Sequence, residues 1–256
     1  MKLSDPGHFP KGQGQNPELE KMKEQDYFSV EGNVSLLPPY LHPQGRGAAA
    51  LGAISKNLAL TSGKTIRELE KCLGIPFEGG GEGGNLCFVG DPEVRLDFRL
   101  SFAPLHIGDY ILAVLHSQAY HKKYGIPKAG KPFEIPYPKD LDHFWKLVRL
   151  GGDLREMHAL DGPVEPVKFP AEGSNLVERP RFRDQRAYIN KSQYFHPVPK
   201  SLWEFSFGGH HPARHWLEHR VGNRLAPGEI VQFQKLLASL SKLIPLVERI
   251  DGILAG

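Results

Sequence analysis

Near the C-terminus, Ile230, Phe233, Leu237, Leu240, Ile244 and Val247 recur at alternating steps of three and four, and Pro227 stands ahead of them as a favourable first-turn proline. This spacing predicts a long helix from Pro227 to about Ile250 with one face apolar throughout. Such a face must be buried against other elements, so the chain has to build a packed core. Pro245 lacks the donor that would reach Ser241 and is expected to kink the helix or start its fraying.

The chain of 256 residues is long enough for that core and favours one globular unit. With 40% hydrophobic and 24% charged residues it is neither disordered, collagenous nor a coiled coil. No stretch approaches the roughly 20 uninterrupted apolar residues of a bilayer crossing. Met1 to Lys11 lack the apolar core of a signal peptide, so a cytoplasmic location is expected and no membrane partner. Cys72 and Cys87 have no cysteine or histidine partners at metal spacing and read as reduced, structural thiols.

Other elements follow the same logic. Residues 1–30 read as a tail or connector, and residues 31–256 as the folded domain. Val34 to Leu41 is read as a strand ending at Pro38-Pro39, and Leu86 to Val89 as a second one. Residues 48–60 are helical by propensity. Thr65 to Leu73 reads as a helix with Thr65 as N-cap, Glu68 completing a capping box and Gly74 as the stop. The run Gly79 to Gly84 reads as a flexible loop. Ile107, Tyr110, Ile111, Val114 and Leu115 predict one packed helix from His106 to Tyr124, closed by Gly125. Another helix begins near Lys139-Asp140 and carries Leu141, Phe144, Trp145, Val148 and Leu154. From Pro163 to Phe207, short Val-, Tyr- and Phe-rich segments between Gly and Pro predict strands, and a helix spans Pro212 to Arg220. The class is α+β, with a small central sheet, packed helices and a long C-terminal helix.

Several motifs invite a function and fall short of it. Ser62-Gly63-Lys64-Thr65 resembles the end of a phosphate loop, but position 58, where the loop needs glycine, is leucine. Leu37-Pro38-Pro39-Tyr40 has leucine where a base-gripping Asn-Pro-Pro-Tyr tetrapeptide needs its amide. His211, His215 and His219 step by four along a helix beside His210, a pattern that could hold a metal only with a fourth ligand from elsewhere. The plainer reading is a polar helix face, and no metal is expected. No Gly-x-Ser-x-Gly elbow occurs, and neither cysteine has a histidine nearby, so nucleophilic hydrolysis lacks its parts.

The charge distribution is more informative than the net charge of +3. Ten Lys or Arg face five Asp or Glu between Lys168 and Arg224, which leaves the remainder slightly acidic. This stretch holds Arg179, Arg181, Arg183, Arg186 and Lys191 together with the aromatic residues Phe182, Tyr188, Tyr194 and Phe195. Arginine reaches phosphates and grips guanine bidentately, while Gln185, Asn190 and Gln193 have the paired donor and acceptor that match adenine. From composition alone the same stretch also fits a solvated strand face.

Arg186-Ala187-Tyr188-Ile189-Asn190, Gln193-Tyr194-Phe195, Val198-Pro199, Leu202-Trp203-Glu204-Phe205, Gly208-Gly209, Trp216-Leu217, Asn223-Arg224-Leu225 and Glu248-Arg249-Ile250-Asp251 follow one another in a distinctive order. Together they resemble the C-terminal region of single-polypeptide Type I (Type ISP) restriction-modification enzymes and related adenine-methylating proteins. Upstream, Asp109 to Ser117 with Ala119-Tyr120, the Phe144-Trp145 helix and Leu37-Pro38-Pro39-Tyr40-Leu41 fit the same pattern. The resemblance covers residue 31 to the end and is strongest over 186–251.

That resemblance implies a target-recognition (specificity) domain that binds double-stranded DNA and has no catalytic residues of its own. Methyl transfer, and the S-adenosylmethionine it needs, would belong to a methyltransferase domain or subunit outside this chain, with no cofactor held here. Arg179, Arg181, Arg183, Arg186 and Lys191 are the expected backbone or guanine contacts, and Gln185, Asn190, Gln193, His210 and His211 the candidates for base edges. Two departures stand out: His210-His211 replace a usual tyrosine and glutamine, and Ala226 replaces a helix-capping Ser or Thr, a loss of about 1 kcal/mol. Two rival readings are a protein-interaction module that docks a methyltransferase subunit through the apolar helix stripe, and a histidine-metal enzyme.

Overall fold

The computed structural model describes residues 27–30, 63–79, 100–125, 133–159, 167–170, 172–207 and 209–256. Tyr27–Val30 forms strand β1, which pairs antiparallel with β2 (Phe133–Pro136). Phe28 lies opposite Ile135, and both are buried. The stretch read as a connector therefore includes a strand of the fold, too short beside its charged neighbours for alternation to reveal it. The expected elements at 34–41, 48–60 and 86–89, and most of the glycine run, lie outside the described residues.

Helix α1 (Gly63–Leu73) begins two residues ahead of Thr65, so Thr65 is a buried first-turn residue and not the N-cap. Gly74, at φ 69°, ends it as expected. Instead of one helix over 106–124 there are two, α2 (Pro104–His116) and α3 (Gln118–Tyr124), separated by an extended Ser117. Ser117 Oγ accepts a hydrogen bond from Tyr120 N (2.9 Å) and donates one to the Asp251 carboxylate (2.6 Å). The Ala119 amide donates to the same carboxylate. The break is thus stabilised by a residue far along the chain, which local spacing cannot reveal.

The next helix, α4 (Leu141–Ala159), starts where the Asp140 side chain accepts from His143 N. It packs along α2 at Gly151, where any Cβ would overlap the carbonyl oxygen of Asp109. Next to this crossing Arg155 donates Nε and Nη2 to the two Asp109 oxygens, at 2.8 and 3.1 Å. Burial raises the Asp109 pKa above the ordinary carboxylate range, and the Arg155 hydrogen bond and charge only partly offset that. Tyr110 and Tyr120 donate their hydroxyls to the Pro136 and Glu134 carbonyls, which ties β2 to the two helices.

The C-terminal half is an antiparallel meander of β3 (Arg181–Arg183), β4 (Arg186–Tyr188) and β5 (Tyr194–Phe195), in that spatial order. Three helices follow: α5 (Lys200–Glu204), α6 (Pro212–Glu218) and α7 (Pro227–Ala255). The five residues of α5 are too few for a periodicity signal, and α6 stops two residues short of Arg220. Helix α7 does not fray at Pro245, which is exposed, because Leu243, Val247 and Ile250 around it are buried in the core. At its start Ala226 supplies no side-chain cap, but Glu229 accepts from the Ala226 amide (3.0 Å). That bond is the main reason the Glu229 pKa lies below its ordinary value.

By length and apolar content α7 passes as a bilayer span, yet Phe233, Leu236, Leu237, Leu240, Leu243, Val247 and Ile250 are buried against other elements of the fold. Gln232, Lys235, Lys242, Glu248 and Arg249 are exposed. The helix contacts α2, α3, α4, α5 and α6, so both halves share one core. Of the stripe offered for docking a partner, Phe233, Leu237, Leu240 and Val247 are occupied by the chain's own core, and Ile230 and Ile244 are half-buried.

A buried amide cluster completes the C-terminal half. Gln193 Oε1 accepts from Asn175 N (2.8 Å) and Asn190 Nδ2 (3.0 Å), while Gln193 Nε2 donates to Asn175 Oδ1 (2.7 Å) and the Glu172 carbonyl (3.2 Å). Asn190 Oδ1 accepts from the Ser192 and Gln193 amides, and its Nδ2 also reaches the Leu176 carbonyl. Gly173, at φ 135°, has no Cβ to collide with the Gln193 side chain.

Three stability measurements check these packings. Gly151→Ala is expected to lower thermal stability by about 3 kcal/mol, because two helices must separate. Gln193→Ala removes the acceptor of two donors and should cost about 2 kcal/mol. Arg155→Leu leaves Asp109 buried without its cation. A carboxyl whose pKa is higher in the folded than in the unfolded state binds protons preferentially when folded, so stability falls as pH rises through that interval. Thermal unfolding of Arg155→Leu should therefore show a wider gap from the parent at about pH 8 than at about pH 5.

Candidate nucleic-acid interface

In Arg181-Phe182-Arg183, alternate side chains of a strand must leave opposite faces. Phe182 turns inward and stacks on Trp203 of α5, with centroids 5.8 Å apart and planes 19° apart. Its cross-strand partner Ala187 is fully buried. On β5, Phe195 also points inward and meets Phe233 of α7 at 4.6 Å. The opposite face therefore carries Arg181, Arg183, Arg186, Tyr188 and Tyr194.

The register settles how these five meet. Arg181 lies across from Tyr188, Arg183 from Arg186, and Tyr188 from Tyr194. The Arg181 guanidinium sits 5.0 Å from the Tyr188 ring centroid, and that of Arg186 sits 4.8 Å from Tyr194. The two tyrosine rings are 5.1 Å apart. Stacking on an aromatic ring costs an arginine mobility and prepares the exposed Arg181 for a planar or anionic partner, whereas Arg186 is half-buried, with its Nε enclosed and unpaired among the described residues. A hydrogen bond to the Tyr188 side chain, with a smaller contribution from Tyr194, raises the Arg186 pKa.

Like charges directly opposite in a sheet destabilise it by up to about 1 kcal/mol, and Arg183 with Arg186 is such a pair. The Arg183–Asp184 ion pair (3.1 Å) is 81% and 71% exposed and compensates little. Charged residues do protect edge strands from unwanted pairing, and β3 is an edge. That role does not cover Arg186, which lies on the central strand, or the stacking on tyrosine.

Between β3 and β4 the chain turns on Asp184 and Gln185, both left-handed at φ 50° and 56°. A two-residue turn with both φ positive matches the sheet twist and normally takes Asn-Gly or Asp-Gly. Gln185 in the second place costs about 1 kcal/mol relative to glycine. The Gln185 carbonyl accepts from Val198 N (2.8 Å) and lies 3.2 Å from His196 Nδ1, so the turn is braced from behind. Its side chain is exposed.

The expected site residues thus fall into three groups. Arg181, Arg183, Gln185 and Arg186 share one hairpin, with Arg179 and Lys191 exposed on the segments that flank it. Asn190 and Gln193, expected at base edges, are 7% and 1% exposed, and their amides are engaged by Asn175, Leu176 and Glu172. They shape the loop instead of facing a ligand. His210 and His211 stand apart, just ahead of α6; His211 Nδ1 lies 3.1 Å from the Glu204 carbonyl.

The histidine row has ring spacings of 5.5 Å for His210 to His215 and 6.3 Å for His215 to His219. Among the described residues no group of three or more His, Cys, Asp or Glu is arranged to hold a metal. Burial lowers the His215 pKa, as do the neighbouring imidazoles, against the pull of Glu218.

Tyr188 and Tyr194, which share the arginine face, are not among the site residues expected from the sequence. The signal for them is the period-two alternation from Arg181 to Tyr188, which puts Tyr188 on the arginine face once the turn is placed at 184–185.

A family model described as the Type ISP C-terminal specificity domain matches residues 19–242, a span that takes in β1 and the whole hairpin face. No curated protein and no solved structure matches the chain significantly. With most of its length matched in this way, the chain belongs to the Type ISP C-terminal specificity domain family.

Proposed function

We propose that the outer face of β3–β4–β5 is the surface with which this chain binds duplex DNA as the sequence-reading part of a restriction-modification adenine methyltransferase. Membership of the specificity-domain family implies DNA target recognition in restriction-modification. The observation that carries the finer reading is the register of the hairpin. It gathers Arg181, Arg183 and Arg186 on one face, two of them stacked on tyrosine and two directly opposed. A polyanion relieves that opposition, and arginines gathered on one face suit a row of phosphates.

Arg179 and Lys191 extend the cationic face on either side. His210 and His211 remain candidates for a second contact from the start of α6. On this reading the chain itself carries out no chemistry. A methyltransferase domain or subunit, working where the genome is, supplies S-adenosylmethionine and extrudes the adenine. We place its docking surface away from the α7 stripe, because Phe233, Leu237, Leu240 and Val247 are already buried there.

Fluorescence anisotropy with a labelled duplex tests the surface. Arg181→Glu with Arg183→Glu should weaken binding at low salt by at least about 10-fold and flatten the dependence of log K on log salt by roughly two phosphates' worth, about 0.9 each. Both side chains are exposed, and the lost stacking of Arg181 on Tyr188 is offset by attraction between the new carboxylate at position 183 and Arg186 across the strands, so thermal stability should stay within about 1 kcal/mol of the parent's. Equal affinity for parent and variant would show that the duplex sits elsewhere.

A further inference from the structure

We infer that the β3–β4 hairpin enters the major groove tip first and that Gln185 reads a base edge there. This deepens the DNA-binding reading of the same face and depends on it. Four observations converge on Gln185. It occupies the second position of a two-residue turn at φ 56°, where glycine is the relaxed choice. Its side chain is exposed and has no hydrogen-bond partner among the described residues. Its carbonyl is held from behind by Val198 and His196, so the tip is presented rigidly. Arg183 and Arg186 flank it as a directly opposed pair.

Asp184 has a local reason to be where it is, since short polar residues tolerate the left-handed region and its carboxylate pairs with Arg183. Gln185 has none. A backbone strain kept in place at an exposed, unbonded amide indicates that the side chain serves a ligand. The chemistry of that amide specifies the ligand: one donor and one acceptor side by side match N6 and N7 of adenine in the major groove. Size agrees, because a two-stranded ribbon fits a groove about 12 Å wide and not one about 6 Å wide. The inner face of the hairpin is covered by Trp203 through Phe182, so the tip and outer face are what the hairpin offers.

Selection from a randomised duplex library with the full 256-residue chain, followed by sequencing, tests this. The parent should enrich a motif. Gln185→Gly should keep its affinity for unselected duplex within about 2-fold and its Tm at or above the parent's, yet lose at least about 10-fold discrimination at an A·T pair of the motif. Gln185→Glu, an acceptor only, should move the preference at that position towards cytosine N4. Replacing the adenine by 7-deazaadenine should weaken the parent and leave Gln185→Gly unaffected.

An unchanged motif in Gln185→Gly, with duplex binding intact, would overturn the role of Gln185 and leave the DNA-binding face standing. Indifference of the parent to 7-deazaadenine at every motif adenine would overturn the major-groove assignment. If the parent binds duplex no better than the Arg181→Glu, Arg183→Glu variant, the face itself is wrong and the inference falls with it.

Discussion

The apolar stripe of α7 holds the two halves of the molecule in one frame. A helix of 29 residues is about 44 Å long, enough to run beneath both. Near its start Phe233 meets Phe195 under the three-stranded sheet and Trp216 of α6, while near its end Asp251 caps the break between α2 and α3. The arginine face has no core of its own. Its strands are two or three residues long and depend on Phe182, Ala187 and Phe195 reaching buried partners below. The orientation of the charged surface is therefore set by apolar contacts on its far side.

Local rules and global packing agree over most of the chain, which is what a foldable sequence requires. Gly74 stops a helix, Asp140 starts one, and Phe233, Leu237, Leu240 and Val247 of the α7 stripe are buried where its spacing says. The disagreements gather at the hairpin. Like charges are paired across the strands, and a side chain sits where glycine would be relaxed. Both conflicts cost stability, and both lie on the solvent side of a well-packed sheet. The hairpin arginines are opposed or stacked, with only the exposed Arg183–Asp184 pair between them, whereas Arg214 and Arg220 have acidic partners, Glu218 and Glu229, and Arg224 reaches the Ser174 carbonyl.

Buried polar groups follow a different rule from exposed ones. Asp109 is tolerated because Arg155 grips both its oxygens, and the amides of Asn190 and Gln193 because nearly every donor and acceptor finds a partner. Read as residue types, Gln185, Asn190 and Gln193 are equivalent candidates for adenine. Burial divides them: two complete the loop from Glu172 to Asn175, and one is left at the tip.

Helical periodicity, the α+β class, the cationic character of the 168–224 region and the family resemblance were all legible in the amino-acid order, because each depends on neighbours within a few turns or on motif order. The break at Ser117, the strand at Tyr27–Val30 and the persistence of α7 through Pro245 were not, since each is stabilised by residues distant in sequence. So too with the site. Residue types alone named the arginines, but strand register decided which of them share a face, and burial decided which amides remain free. Sequence thus determined what chemistry the chain carries, and only the tertiary structure decided where it points, because direction comes from long-range packing that no local pattern encodes.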